Sequence, residues 1–428
     1  MPDHVIEAKP SIVRRNFALN VVDGAVFTFG LGFASRSTVL PVFVKNIGGD
    51  SIAISLIPVL WILGFNMPQI VIANYTSRVS PKKPLLLKTG LGQRLPWLLL
   101  AVVTFTIIET VPAGIALPLF FLLLTLAAVG GSLNLPVWFD IVSKITPVRM
   151  RGRMFALRTV LGGVLGILAG WIVERILATW ASPYSFGLLF GLAFGAMMIS
   201  YVFITLLEEG DRTLPKKRVR YRTYLRSLPA ILRRETNFRN FLIGESLLVA
   251  ATMVEAFFVV DAIESLNLPV SYAGRFTIVI MLSMVVGTLI FGYLADRWGH
   301  RINLVLSAAW MIVGCGAALL ANSVEVYYVA FVASALTLGL RTISRLPIIA
   351  ELCREEDRPT FVALTNVVTA PFVLAGVAGG WLANVHGYDA VFIGAGLIAV
   401  AACAWLGLVL KEPRRVQSLS VRSSEFSV

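Results

Sequence analysis

The sequence predicts an all-α integral membrane protein of about twelve transmembrane helices, set out as two pseudo-symmetric six-helix bundles. Three observations carry this. The 428 residues are 57% hydrophobic and only 14% charged, whereas soluble domains carry about a quarter charged residues. Uninterrupted apolar runs such as Pro118–Val129 and Ala395–Leu410 fit bilayer-crossing helices and exclude the alternation of a β-barrel. Parts of the second half also repeat parts of the first.

Hydropathy places the spans near 17–44, 52–75, 87–110, 114–143, 155–180 and 184–207, then 238–262, 272–295, 302–322, 325–351, 361–385 and 388–410. Residues 17–207 form the first expected bundle and 238–410 the second. Met1 to Asn16 lacks the order of a cleavable signal, so residues 1–16 and 411–428 are expected as cytoplasmic tails. Between the bundles, in 208–237, Tyr221, Leu225, Leu228 and Leu232 recur at helical spacing among arginines. That segment reads either as a helix on the anionic inner leaflet or as a flexible basic linker. Pro41, Pro58, Pro68, Pro136, Pro347 and Pro371 are expected to shape or kink spans. Trp97, Trp180 and Trp298 suit interfacial anchoring.

Charge orients the chain. Its net charge of +13 concentrates in alternate connections: Arg14 and Arg15, Lys82 and Lys83, Lys144 and Arg151, Arg297 and Arg301, and a basic run from Lys216 to Arg234. Intervening connections carry acids such as Asp50, Glu264 and Asp389. The positive-inside rule puts both termini in the cytoplasm. The basic balance therefore reflects topology, and no nucleic-acid partner is invoked.

The internal repeat is specific. Leu135-Pro136 is followed by Asp140, Arg151, Ala156-Leu157 and Gly170-Trp171; Leu346-Pro347 is followed by Glu351, Arg358, Ala363-Leu364 and Gly380-Trp381. A charged turn, Gly292-Tyr-Leu-Ala-Asp296-Arg297-Trp-Gly299-His-Arg301, lies between two apolar spans. Its counterpart, from Ala73 through Ser77 and Arg78 to Lys82, lacks the glycine and aspartate.

With these motifs the chain resembles the major facilitator superfamily over nearly its whole length, and the 292–301 turn fits that family's hallmark loop. The family's antiporter signature in the fifth span is not intact: Gly162, Gly163, Gly166 and Gly170 are present without the Gly-Pro pair. The resemblance implies a secondary transporter with a substrate site at the interface of the halves, and a cytoplasmic latch built on the loop. The latch would use Gly292, Asp296, Arg297, Gly299 and Arg301, with Arg78, Asp140, Arg151, Glu351 and Arg358 around it. Asp296 would dock near the start of the fifth helix, around Arg151–Arg158, or meet Arg354 or Arg358. Physically, Gly292 and Gly299 permit close helix approach and a sharp turn, and Asp296 can accept hydrogen bonds at a helix end.

Ionisable groups at membrane depth are costly and mark function. Asp23, Glu245 and Glu255 are candidate proton carriers, Arg341 and Arg345 are candidate anion ligands, and Arg36, in the outer portion of span one, is a further coupling or substrate candidate. The competing reading gives Asp23 or Glu245 a permanent ion pair with Arg341, Arg345 or Arg94, and makes the two arginines an inner gate on Glu351, Asp140 or Glu245. Arg94 and Glu109 are expected to snorkel from the ends of the third span.

No phosphate-binding loop, paired cysteines or histidine set is present, so no enzymatic activity, cofactor or metal is expected. The leading expectation is proton-coupled export of a small amphiphilic or lipophilic compound by a monomer in a plasma membrane of the bacterial inner-membrane type. Alternatives are uptake or facilitated diffusion of an organic anion, a lipid flippase, and a non-transporting receptor or scaffold.

Overall fold

The computed structural model describes residues 10–76, 81–108, 110–209, 229–354 and 357–414, with side chains throughout except at 69–76 and 359. The described residues are helical nearly throughout, as backbone in hydrocarbon requires. The first seven helices are α1 (Pro10–Phe33), α2 (Val39–Asn46), α3 (Ser51–Thr76), α4 (Lys83–Thr106), α5 (Ala113–Ile145), α6 (Val148–Thr179) and α7 (Tyr184–Thr205). After a short helical stretch at 229–234 come α8 (Thr236–Thr252), α9 (Glu255–Ser265), α10 (Tyr272–Trp298), α11 (His300–Leu319), α12 (Val324–Leu352), α13 (Arg358–Thr369), α14 (Ala375–His386) and α15 (Tyr388–Ala404). Residues 210–228 lie outside the described residues, so the Tyr221–Leu228 part of the expected inner-leaflet helix does too.

Among the described residues, 11 helices are long and apolar enough to cross a membrane, counting α8 with α9 as one span. The third expected span is a helix, α4, of 24 residues. That length would reach about 36 Å, but its basic N-terminal turn and polar residues keep it out of the eleven.

Three expected spans are interrupted. The first breaks at 34–38, between α1 and α2, and the seventh at Met253 and Val254, between α8 and α9. Neither break contains a proline. The eleventh is interrupted by a 3-10 turn over Ala370–Leu374, where Pro371 does sit. The proline expectation therefore identifies one of three breaks.

Contacts group the chain into two compact units, one of Met1–Ser35 with Gly64–Arg218 and one of Arg36–Leu63 with Val219–Val428. In the first, α1 packs on α6 and α7, and α4 on α5 and α7. In the second, α8 packs on α15, and α11 on α12 and α15. Related neighbours thus recur, as a duplicated sequence requires. A core of Val21, Leu86, Val137, Ile141, Met154 and Ile204 fills the first unit. Phe238, Phe241, Leu304, Ile348, Phe361 and Leu406 do so in the second, with the Phe238 and Phe361 rings 4.3 Å apart. Trp97 belongs to the interior, 2% exposed, whereas Trp180 and Trp298 are exposed as an interface requires.

Candidate functional site

In the first unit α1 carries Asp23 into the interior, where it is 2% exposed. Its Oδ2 accepts from an Arg158 terminal nitrogen on α6 at 2.9 Å, and its Oδ1 from Ser200 Oγ on α7 at 2.6 Å. The same Arg158 nitrogen donates to the Asn20 carbonyl at 2.9 Å, and the guanidinium lies 4.6 Å from the Trp138 ring centroid. Gly24 makes this crossing possible, since a methyl there would overlap the Arg158 side chain.

Arg94 does not snorkel: it is 1% exposed. It donates to the carbonyls of Met197 at 2.7 Å and Gly90 at 2.8 Å, and to Ser200 Oγ at 3.1 Å. Phe27 and Tyr201 present ring centroids at 5.4 and 5.3 Å. Carbonyls, a hydroxyl and two ring faces take the place of water, so the guanidinium need not reach the interface. Glu109, the other residue expected to snorkel, lies outside the described residues. Asp23's ion-pair partner, Arg158, directly follows the repeated Ala156-Leu157 pair. That repeat position is the sequence signal for it.

In the second unit Glu245, on α8, is 0% exposed. One of its oxygens, Oε1, meets an Arg341 terminal nitrogen at 2.8 Å and Arg345 Nε at 3.0 Å. Arg345 also donates to Asn366 Oδ1 at 2.7 Å. The two arginines lie four residues apart on α12, so one helix face delivers both. The ion-pair reading thus describes the geometry of Glu245, and of the three acids named for the two arginines it is Glu245 that they meet. Glu245 Oε2, Ser246 Oγ and Glu255 Oε1 are buried with no hydrogen-bond partner among the described residues.

Glu255 opens α9 immediately after the break. Arg341, Arg36 and Ser334 act on it electrostatically, yet it forms no ion pair among the described residues. Arg36 lies in the break after α1, exposed, with its guanidinium 4.7 Å from the Trp61 centroid. Two oppositely charged groups, each at a helix break, therefore face the same region of the second unit without being joined.

Segment 36–63 packs on helix ends of the second unit. Thr38 and Thr277 hydroxyls are 2.6 Å apart, and Lys45 Nζ lies 2.7 Å from Glu264. Asn384 donates to Asp50 at 2.7 Å and accepts from the Ser51 N–H at 3.0 Å. Gly380 permits the approach, since a methyl there would come within 2.7 Å of Ser51 O and Ser55 Oγ. Burial acts to lower the Lys45 pKa, but the bond and charge of Glu264, with Tyr388 and Asp50, outweigh it and raise the ammonium above its ordinary range. A cavity of about 270 Å³ lined by Val42, Lys45, Val260, Glu264 and Val270 sits beside this pair.

The helix ends beside the basic turns show a duplication that reaches beyond the repeated sequence motifs. In the first unit Asn16 and Glu208 exchange hydrogen bonds at 3.0 and 3.1 Å. In the second Asn237 and Lys411 do the same, both at 2.9 Å. Glu209 accepts from the Lys82 and Lys83 N–H groups at 2.9 and 2.8 Å, and Glu412 from the Arg301 N–H at 3.3 Å. Asp140 pairs with Lys82 at 2.6 Å, Glu351 with Arg414 at 2.7 Å. The sequence trace is an Asn-Phe at the start of each half and an acid two residues after a leucine at its end, Leu207 to Glu209 and Leu410 to Glu412.

The hallmark loop is held by this same ring of bonds. Gly299 has φ of 93° and lies against the Glu412 carboxylate. Arg301 donates to the Leu406 carbonyl at 3.0 Å and also to that of Gly407. Arg414 donates to the carbonyls of Asp296 at 3.0 Å and Ala295 at 3.4 Å. The side chains of Asp296 and Arg297 are exposed. A methyl on Gly292 would meet nothing within 4 Å, so close helix approach is not its role here; the turn belongs to Gly299. Arg151 donates to the carbonyls of Thr146 and Ser143, closing its own helical hairpin. Arg358 is exposed at the start of α13, and Arg78 lies outside the described residues.

Comparison with known proteins agrees with this architecture. Residues 241–428 match the model of the Major Facilitator Superfamily. A variant of the nucleoside transporter NupG superposes with a TM-score of 0.72 at 12% identity, covering 94% of this chain and 100% of that one. A D-xylose-proton symporter gives 0.69 at 13% identity, covering 94% and 98%. A POT family transporter bound to 5-aminolevulinic acid gives 0.72 at 12% identity, covering 94% and 96%. At these identities the likeness is one of fold. No curated protein matches by sequence.

Proposed function

We propose that this chain, which matches the Major Facilitator Superfamily over residues 241–428 and folds like its transporters, is a secondary transporter that takes up a small organic anion by alternating access. The observation that carries the reading is the charge balance among five ionisable residues of the second unit. Arg36, Arg341 and Arg345 face Glu245 and Glu255, and only Glu245 is engaged in ion pairs among the described residues. Three cations against two carboxylates leave one positive charge, which a monoanion would neutralise. Arg36, exposed and outside any ion pair among the described residues, is the cation left for that anion, and a guanidinium suits a carboxylate, so an anionic solute fits this charge set better than the neutral lipophilic compound of the leading sequence expectation.

The helix breaks support the same reading. Discontinuous spans in transporters free backbone groups around the substrate site, and here Arg36 and Glu255 lie at two of them. Glu255, outside any ion pair among the described residues, is the candidate proton carrier, which would make the transport a symport. The similar D-xylose-proton symporter is named for such coupling.

Reconstitution into vesicles tests this directly. With a pH-sensitive dye inside, external acetate, lactate, benzoate or succinate is offered with and without an inward proton gradient. Gradient-stimulated uptake of at least one anion is expected, with Arg36→Gln and Arg341→Gln raising KM and Glu255→Gln removing the gradient dependence. Movement of neutral solutes alone would overturn the anion reading.

A further inference from the structure

We propose that Arg158, laid across Gly24 and stacked on Trp138, is a second anion-recognising residue, located in the first unit and suited to a small monocarboxylate carrying a hydroxyl. The proposal builds on the transport reading by naming the solute class, but its observations come from the other unit.

The first observation is unused donor capacity. One Arg158 terminal nitrogen serves both Asp23 and the Asn20 carbonyl. The second terminal nitrogen and Nε have no hydrogen-bond partner among the described residues. A guanidinium presents its five N–H donors as a planar fork matched to a carboxylate, so a half-used fork is an open bidentate site. Arg94, by contrast, has all three nitrogens engaged and is 1% exposed. The Arg158 side chain is 20% exposed while its partner Asp23 is at 3%. A guanidinium left open at membrane depth belongs on a wet surface, since facing lipid would be costly.

The second observation is a pair of orphaned polar atoms on residues that touch Arg158. Trp138, whose ring carries the guanidinium, has its Nε1–H buried without a partner, and Asn20 has its Oδ1 buried without one. The Asn20 amide is oriented by Nδ2 donating to the Asn16 carbonyl at 3.0 Å, which leaves an oxygen as the orphan. A carboxylate would satisfy the indole donor together with the free edge of the fork. The Asn20 oxygen, an acceptor, instead calls for a donor on the solute. A hydroxycarboxylate supplies both.

The third observation is charge. Asp23, Arg94 and Arg158 sum to one positive charge in this cluster. A monoanion neutralises it without uptake of a proton and without Asp23 leaving its bonds. Gly24 holds the arrangement open, because any side chain there would displace the arginine from its place on Trp138.

The test is binding to purified full-length protein, which needs no transport. Thermal unfolding and tryptophan fluorescence are followed with sodium lactate, propionate and inorganic phosphate, and with neutral lactamide, at matched ionic strength. Lactate is expected to bind more tightly than propionate, and lactamide not at all. Arg158→Gln should weaken lactate about tenfold or more, in line with loss of a charged hydrogen bond, whereas Arg36→Gln should leave this lactate-over-propionate preference in place. Because Arg158→Gln strands Asp23, the double variant Asp23→Asn with Arg158→Gln serves as the folding control. It should fold with normal stability and still fail to bind. Lactate binding retained in that double variant, a preference abolished by Arg36→Gln instead, phosphate bound in preference to lactate, or no binding to the unmodified protein would each overturn the proposal. Binding without vesicle uptake would instead leave this site standing and remove the transport reading.

Discussion

Gly299 and Gly292 bracket one charged turn, yet a side chain at each would have opposite consequences. At Gly299 the backbone sits at φ 93° and a methyl would collide with the Glu412 carboxylate. Gly299→Ala is expected to lower stability by about 1–3 kcal/mol, whereas Gly292→Ala, which meets open space, should leave the unfolding midpoint unchanged or slightly raised. Paired thermal melts in one detergent check this. Arg94 makes a sharper case. Arg94→Met would remove the guanidinium's bonds to the Met197 and Gly90 carbonyls and to Ser200 Oγ, while Ser200 keeps its own bond to Asp23, with an expected loss of about 2–4 kcal/mol. A melt within about 0.5 kcal/mol of the unmodified protein would show that these bonds contribute little to stability.

At the scale of elements, the strap formed by Lys411, Glu412 and Arg414 ties the start of α8, the α10–α11 turn and the end of α12 together. Burial is the main influence on Glu412 and raises its carboxyl pKa. The Arg301 N–H opposes this, Glu351 adds to it and Arg414 opposes it, for a net rise. A raised carboxyl favours the folded state below its ordinary pKa of about 4.3, and that contribution is lost as pH climbs through the raised value. The unmodified protein should therefore lose stability relative to Glu412→Gln between weakly acidic and neutral pH. Melting curves across that range, with Glu412→Ala lower than both throughout, are the expected result. The pair Lys45–Glu264 behaves differently. Both side chains are more than 40% exposed, and the raised lysine loses its contribution only as pH rises beyond about 10. Its removal should leave the midpoint almost unmoved at neutral pH, while Gly380→Leu, which disturbs the close approach to Ser51 and Ser55, should impair vesicle uptake.

Across the whole molecule, the family match over residues 241–428, the recurrent packing in both units and the alternating positive connections describe one plan. The expected topology, with twelve spans and both termini cytoplasmic, depends on α4 crossing despite its polar start. Reporter fusions after residues 47, 110, 182 and 386 should read as external, and fusions after 81, 146 and 414 as cytoplasmic. A cytoplasmic reading at 110 would remove α4 from the spans and invert the order after it.

Composition and apolar runs were enough to determine a helical membrane protein, because only intrahelical bonds satisfy backbone in hydrocarbon. The repeated Leu-Pro, acid and Ala-Leu pattern revealed the duplication, because both halves face the same packing demands. The sequence also brought Asp23, Glu245, Glu255, Arg36, Arg341 and Arg345 forward, because charge at depth is rare. Partnership was decided only in three dimensions. Arg158 reaches Asp23 from a helix more than a hundred residues away, Arg94 is enclosed instead of snorkelling, and Glu412 reaches back over Gly299. The physical reason is that a side chain's partners depend on helix rotation and on small residues such as Gly24. Hydropathy averages over a span and carries no record of which face a residue occupies.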